Sequence, residues 1–237
     1  MGIPATHHYV LIAGAFHGGW VWRHVAKGLR AAGHEVSAPT LTGLGERRHL
    51  TQGADLDLHV EDVVAHIEME GLSAVTLVGW SYGGMVITGV LARIPDRIRA
   101  IIYLDAFVPE DGRALIEYLP PETQAAWEDY RGTDGLLPPF PAERLGLTGP
   151  AQIAFVVPRL VAHPIETLYQ PVKAAQPRPP IPTAYIRCTR NPAPHFNAAL
   201  EEIRKDPAVR TDAIDSGHSC MVTEPAETTR LLLKYGG

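Results

Sequence analysis

The run "AVTLVGWSYGGMV", residues 74–86, drives a β-branched, apolar strand straight into a serine fenced by glycines, and then into a second apolar stretch. The knot reads Gly79-Trp80-Ser81-Tyr82-Gly83, with Gly84 beyond. This G-x-S-x-G spacing predicts a sharp strand-to-helix turn, whose flanking positions are glycine because a Cβ there would clash. Such a turn lifts the Ser81 hydroxyl out of the sheet and aims it at a partner. Taken alone, the pattern is no more than a glycine-rich turn opening a helix. A base, an acid and a pair of backbone N–H donors must come from elsewhere in the chain.

Around this turn, strands and helices alternate. Residues 8–16, 34–41, 74–79, 98–106, 181–189 and 208–215 read as strands. Residues 20–33 and 55–71 carry apolar residues at helical spacing and each end on a glycine, and a further helix runs from Tyr82 to about Ile94, closed by Pro95. Alternation of this kind predicts a mostly parallel sheet with helices on both faces, and 237 residues at 46% hydrophobic content suffice for one such core.

The segment 107–180 breaks the rhythm. It holds thirteen of the chain's 21 prolines and no clear strand, too long for a plain connection. It reads as a lid or cap on a core made of 1–106 and 181–237. Its larger apolar residues, among them Leu119, Trp127, Tyr130, Phe140, Phe155, Leu160 and Tyr169, suit either a pocket wall or a small core of their own.

Eleven histidines are available to activate Ser81, and position selects among them. His218 lies in a glycine-flanked loop after the last strand, so it and Ser81 project from the carboxyl edge of the sheet, where ligands bind in α/β folds. His7, His8, His24, His49 and His59 read as surface or helix-face residues. An oxyanion hole needs rigid backbone donors. Tyr82 follows the serine directly, and Ala15 sits in the glycine-rich turn "AGAFHGGW" after the first strand.

The stretches "AGAFHGGWVWRHVAKGLRAAGHEVSAPTLTGLGERRHL", "LVGWSYGGMV", "YLDAFVPEDG" and "SGHSCMVTEP" together resemble the α/β-hydrolase superfamily. Within it they are similar to the branch of small bacterial carboxylesterases, plant methylesterases of the salicylate-binding type and plant hydroxynitrile lyases. The resemblance covers about 8–110 and 181–235. It implies an eight-stranded core, a lid and a Ser–His pair.

In the plant relatives the acid is an aspartate in a loop resembling C-T-E-D. Here that loop reads Cys188-Thr189-Arg190-Asn191, so the slot holds an amide. One strand earlier, Asp105 stands where those relatives tend to have alanine, and some superfamily members take their acid from that strand. The moved acid is therefore Asp105, with Asp215 as the alternative, three residues before His218. On this reading Asn191→Ala does little.

Ser81, His218 and Asp105, with donors at Ala15 and Tyr82, imply hydrolysis of a small, largely apolar ester through an acyl-enzyme, with no cofactor and no metal. Two other reactions remain in view. The cyanohydrin lyases carry a threonine in the oxyanion turn and a lysine after the acid loop. This chain has Gly14 and no lysine there, and His195 reads as a loop residue facing solvent. A biosynthetic cyclisation, decarboxylation or acyl transfer is also compatible, since a fold does not fix a reaction and Ala13 replaces a usual histidine.

A net charge of −5 without any Lys/Arg run excludes a broad nucleic-acid footprint. No stretch reaches the roughly 18 apolar residues of a membrane span. Cys188 and Cys220 read as buried thiols in a reducing compartment, and the chain reads as cytoplasmic. Met1-Gly2 with Thr6 matches a loose N-myristoylation pattern, but leads directly into a strand. A lid-bearing apolar edge suits a homodimer.

Overall fold

A computed structural model describes residues 6–237; the Met1–Gly2 pattern lies outside these residues. Strand β1 (His8–Ile12) leads through the glycine-rich turn to α1 (Arg23–Ala31) and β2 (Glu35–Ser37). Helix α2 (Leu56–Met69) follows, its N-terminus capped by the Asp55 carboxylate, which accepts from the Leu58 N–H at 2.8 Å. Then come β3 (Val75–Trp80), α3 (Gly83–Arg93) and β4 (Ile98–Leu104).

After β4 the chain forms α4 (Pro121–Arg131), β5 (Leu136–Leu137), α5 (Pro150–Val156), β6 (His163–Pro164) and α6 (Glu166–Tyr169). It returns to the core with β7 (Thr183–Cys188), α7 (Pro194–Ile203), β8 (Arg210–Ile214), α8 (Cys220–Thr223) and α9 (Pro225–Gly236).

The main sheet is parallel throughout, in the order β2-β1-β3-β4-β7-β8. The expected eight-stranded sheet is corrected to six strands among the described residues. All six coincide with stretches that read as strands from their own residues; the extra two came with the family resemblance. The only other strands described, β5 and β6, are two residues each and pair antiparallel in a separate sheet.

Period-two alternation sorts the strand residues onto two cores. Leu77 and Ile101 face one cluster with Val60 and Val63 of α2 and Val86 of α3. Their neighbours Val78 and Ile102 face the other, with Val25 and Leu29 of α1 and Leu231 of α9. Burial on both faces explains why β3 is mostly apolar on both; its one hydroxyl, on Thr76, donates to Gly236 O at 3.0 Å. It also fixes the central strands, so the loops at their carboxyl ends rest on a rigid base. No helix of the described residues is long and apolar enough to cross a membrane.

Candidate active site

Ser81 stands just past β3 with φ +57°, in the left-handed region that side chains other than glycine rarely adopt. Its backbone is fastened on both sides: the Ser81 N–H donates to Leu104 O at 3.4 Å, and the Phe107 N–H donates to Ser81 O at 3.2 Å. The two glycines of the motif are steric necessities. A Cβ on Gly79 would lie 2.6 Å from Gly83 O, and one on Gly83 would lie 2.8 Å from Ile12 O. Close packing of helix against strand therefore holds the bend.

Asp105 follows β4 directly, with φ +44° and no exposed surface. Four donors converge on its two oxygens. Oδ1 accepts from Arg187 Nη1 at 2.5 Å and from the Cys188 N–H at 3.1 Å. Oδ2 accepts from His218 Nδ1 at 2.7 Å and from Asn191 Nδ2 at 2.6 Å. Burial alone would raise its pKa. The hydrogen bond and charge of His218, the Arg187 guanidinium and the Asn191 amide outweigh burial and hold the carboxyl below its ordinary value.

Because Asp105 only accepts, His218 carries its proton on Nδ1 and leaves Nε2 free as a base. The His218 ring packs between Phe196 and Trp80, each with centroids 5.0 Å away, and Trp80 Nε1 donates to His218 O at 2.9 Å. Asp215 is elsewhere: it is exposed, and its carboxylate lies 3.2 Å from Arg190 Nε.

Asn191 is not idle. Its Oδ1 accepts from the Ala193 N–H at 3.2 Å, which fixes the amide orientation and turns Nδ2 toward Asp105. The sequence reading also missed Arg187, which donates to Asn197 Oδ1 at 2.9 Å and Asn191 O at 2.7 Å besides its carboxylate partner. A usable signal was present: an arginine inside the strand "TAYIRC", where every residue is buried, requires a buried counter-charge.

Ser81, His218 and Asn191 open onto one cavity of about 350 Å³, together with Ala15 and Tyr82. Phe16 and Phe196 from the core line it, and Phe107, Leu119, Trp127 and Phe140 from the 107–180 segment add to the wall. Tyr130 and Phe155 are absent from it: Tyr130 is exposed, and Phe155 packs edge-on against Trp20. Among the described residues, neither the Ala15 N–H nor the Tyr82 N–H has an internal hydrogen-bond partner.

His195 is not the solvent-facing residue expected from sequence, and His59 takes the helix-face alternative of its expectation, turned inward. His195 lines the cavity and stacks on Phe107 at 5.0 Å, and burial lowers its pKa to about 4. His59 is fully buried on α2, with Nδ1 2.8 Å from Tyr82 Oη and Nε2 2.7 Å from Thr42 O.

A six-stranded parallel sheet with a serine on a strained turn after β3 and a carboxylate–histidine pair on neighbouring loops defines the α/β-hydrolase class. The sequence profile of the alpha/beta hydrolase family matches residues 9–231, and the chain belongs to that family.

Among similar proteins, a carbendazim-hydrolyzing esterase from Nocardioides sp. (strain SG-4G) is 49% identical over 147 residues, which cover 57% of this chain and 61% of that protein. Salicylic acid-binding protein 2 from Nicotiana tabacum is 33% identical over 174 residues, covering 69% of this chain and 62% of its own length. The matches thus span about three-fifths of these two relatives. A solved structure of an extracellular alpha/beta-hydrolase from a Paenibacillus species superposes with a TM-score of 0.87 at 26% identity, covering 97% of this chain and 99% of that one.

Proposed function

We propose that this protein is a carboxylesterase-like serine hydrolase acting on a small, largely apolar ester. The observation that carries the reading is the 2.7 Å contact between buried Asp105 and His218 Nδ1, in a cavity that Ser81 also lines. The esterase relatives support the same reaction class.

Ser81 Oγ attacks the ester carbonyl carbon while His218 Nε2 takes its proton. Asp105 keeps the imidazole in the Nδ1–H tautomer and stabilises the imidazolium that forms. The Ala15 and Tyr82 N–H groups receive the oxyanion of the tetrahedral intermediate, which a removed donor would destabilise by about 3–4 kcal/mol. His218 then protonates the leaving alkoxide, and water attacks the acyl-enzyme by the reverse proton path. The aromatic and aliphatic residues in the cavity lining favour an apolar substrate.

A cyanohydrin-lyase reading is disfavoured at Gly14. A Cβ there would sit 2.9 Å from Ser81 Cβ and 3.0 Å from Trp80 Cε3, so the threonine of those enzymes has no room in this turn.

The test is release of nitrophenol from a short-chain nitrophenyl ester by wild type and Ser81→Ala. Turnover that vanishes in the variant is expected. A folded wild type without turnover would overturn ester hydrolysis and favour a biosynthetic reaction at the same site.

A further inference from the structure

The peptide unit between Ala15 and Phe16 is gripped by two buried histidines. On one side, Ala15 O lies 2.7 Å from His17 Nδ1. On the other, the Phe16 N–H donates to His163 Nδ1 at 3.3 Å. Phe16 itself has φ +70°, a left-handed conformation that a bulky side chain adopts only when its surroundings impose it.

The hydrogen-bond chain behind His163 is complete. A backbone N–H can only donate, so His163 Nδ1 must be the bare nitrogen, and the proton sits on Nε2. Nε2 lies 2.7 Å from Thr167 Oγ1, and the Thr167 hydroxyl donates to Pro164 O at 2.7 Å. The backbone donor at Nδ1 and the hydroxyl beside Nε2 together fix the tautomer. Burial lowers the His163 pKa well below its ordinary 6.5, so the ring stays neutral and Nδ1 stays an acceptor. The same segment also holds the other end of Phe16, because the Val161 N–H donates to Phe16 O at 3.1 Å.

His163 also packs against Tyr82, the residue of the second proposed oxyanion donor, with ring centroids 4.9 Å apart. The side chain thus touches the residues on both sides of the oxyanion site, yet does not line the cavity.

We propose that His163 is a positioning residue for the oxyanion hole: by clamping the Ala15–Phe16 peptide through His163, the 107–180 segment fixes the Ala15 Cα and so aims the Ala15 N–H, which lies on the preceding peptide unit. This deepens the hydrolase reading and rests on it. A side chain that only filled space would affect stability. A side chain that aims a donor affects the transition state and leaves ground-state binding alone.

The experiment compares wild type, His163→Leu and His163→Asn. Leucine keeps bulk and loses the acceptor; asparagine places Oδ1 near the position of Nδ1. Two readouts are taken: nitrophenyl-ester kinetics, and the rate at which an alkyl fluorophosphonate labels Ser81 by intact mass.

For His163→Leu, kcat and the labelling rate should each fall about 10- to 100-fold with KM changed less than about threefold, and His163→Asn should recover most of the loss. Equal kinetics in wild type and His163→Leu would overturn the proposal, as would a loss carried by KM alone. Wild type that is labelled but does not hydrolyse the ester would refute hydrolysis while leaving the clamp testable by labelling. If neither occurs, both readings fall. Should His163→Leu not fold, nitrogen-15 NMR of the wild type decides: a bare Nδ1 with Nε2–H is required, and the Nδ1–H tautomer would refute the clamp.

Discussion

Asn191 donates its side-chain amide to Asp105, with Nδ2 2.6 Å from Oδ2, and the same nitrogen lies 3.1 Å from His218 Nδ1. The amide in the acid slot of the relatives and the carboxylate on the neighbouring strand thus meet at one imidazole. Asp105 supplies the charge, and Asn191 helps to hold that charge in place.

Asn191→Ala is therefore not silent, contrary to the expectation from sequence. A hydrogen bond to a charged group contributes about 1.5–3 kcal/mol. Part of that loss is absorbed by the three remaining donors on Asp105. Steady-state kinetics should show kcat lowered about tenfold with KM nearly unchanged.

Arg187→Leu removes the cation facing Asp105 and leaves the carboxylate buried with one fewer donor. Breaking a buried pair on one side typically costs about 3–5 kcal/mol. Urea denaturation should show the unfolding free energy lowered by that amount, read as a lower midpoint at unchanged slope, with loss of activity following loss of fold.

Gly14→Ala places a methyl group 2.9 Å from Ser81 Cβ, between two groups fixed by the sheet. Overpacking of this kind costs about 1–3 kcal/mol. Both the thermal midpoint and kcat should fall, since relief of the clash displaces either the serine or the oxyanion turn.

Acid stability follows from His17 and His59, both fully buried, whose pKa values burial lowers from 6.5 to about 4. Each stays neutral when folded but takes up a proton when unfolded below about pH 6.5, so stability falls as pH drops from there toward about 4. Thermal midpoints measured across that window should decline steadily. His59→Gln should flatten part of the decline.

The strands and the serine turn were legible because their residues obey local rules: apolar runs buried on both faces, and glycines where backbones meet. Asp105 was legible as a carboxylate at the right strand end. The roles of Asn191, Arg187 and His163 were not, because each depends on a partner far along the chain: 86 residues from Asn191 to Asp105, 82 from Arg187 to Asp105, and 147 from His163 to Phe16. His163 in particular lies in a proline-rich stretch with no periodicity to say which way its ring faces. The two further strands of the expected sheet came from the resemblance, and no described residues of this chain build them.

The most direct test of the account is kcat for a nitrophenyl ester in Asp105→Asn, with folding verified by near-ultraviolet circular dichroism. Loss of the carboxylate leaves the imidazolium unsupported, and a fall of about 10³- to 10⁴-fold with KM little changed is predicted. Turnover within about threefold of wild type would contradict it, because His218 would then draw on some other group.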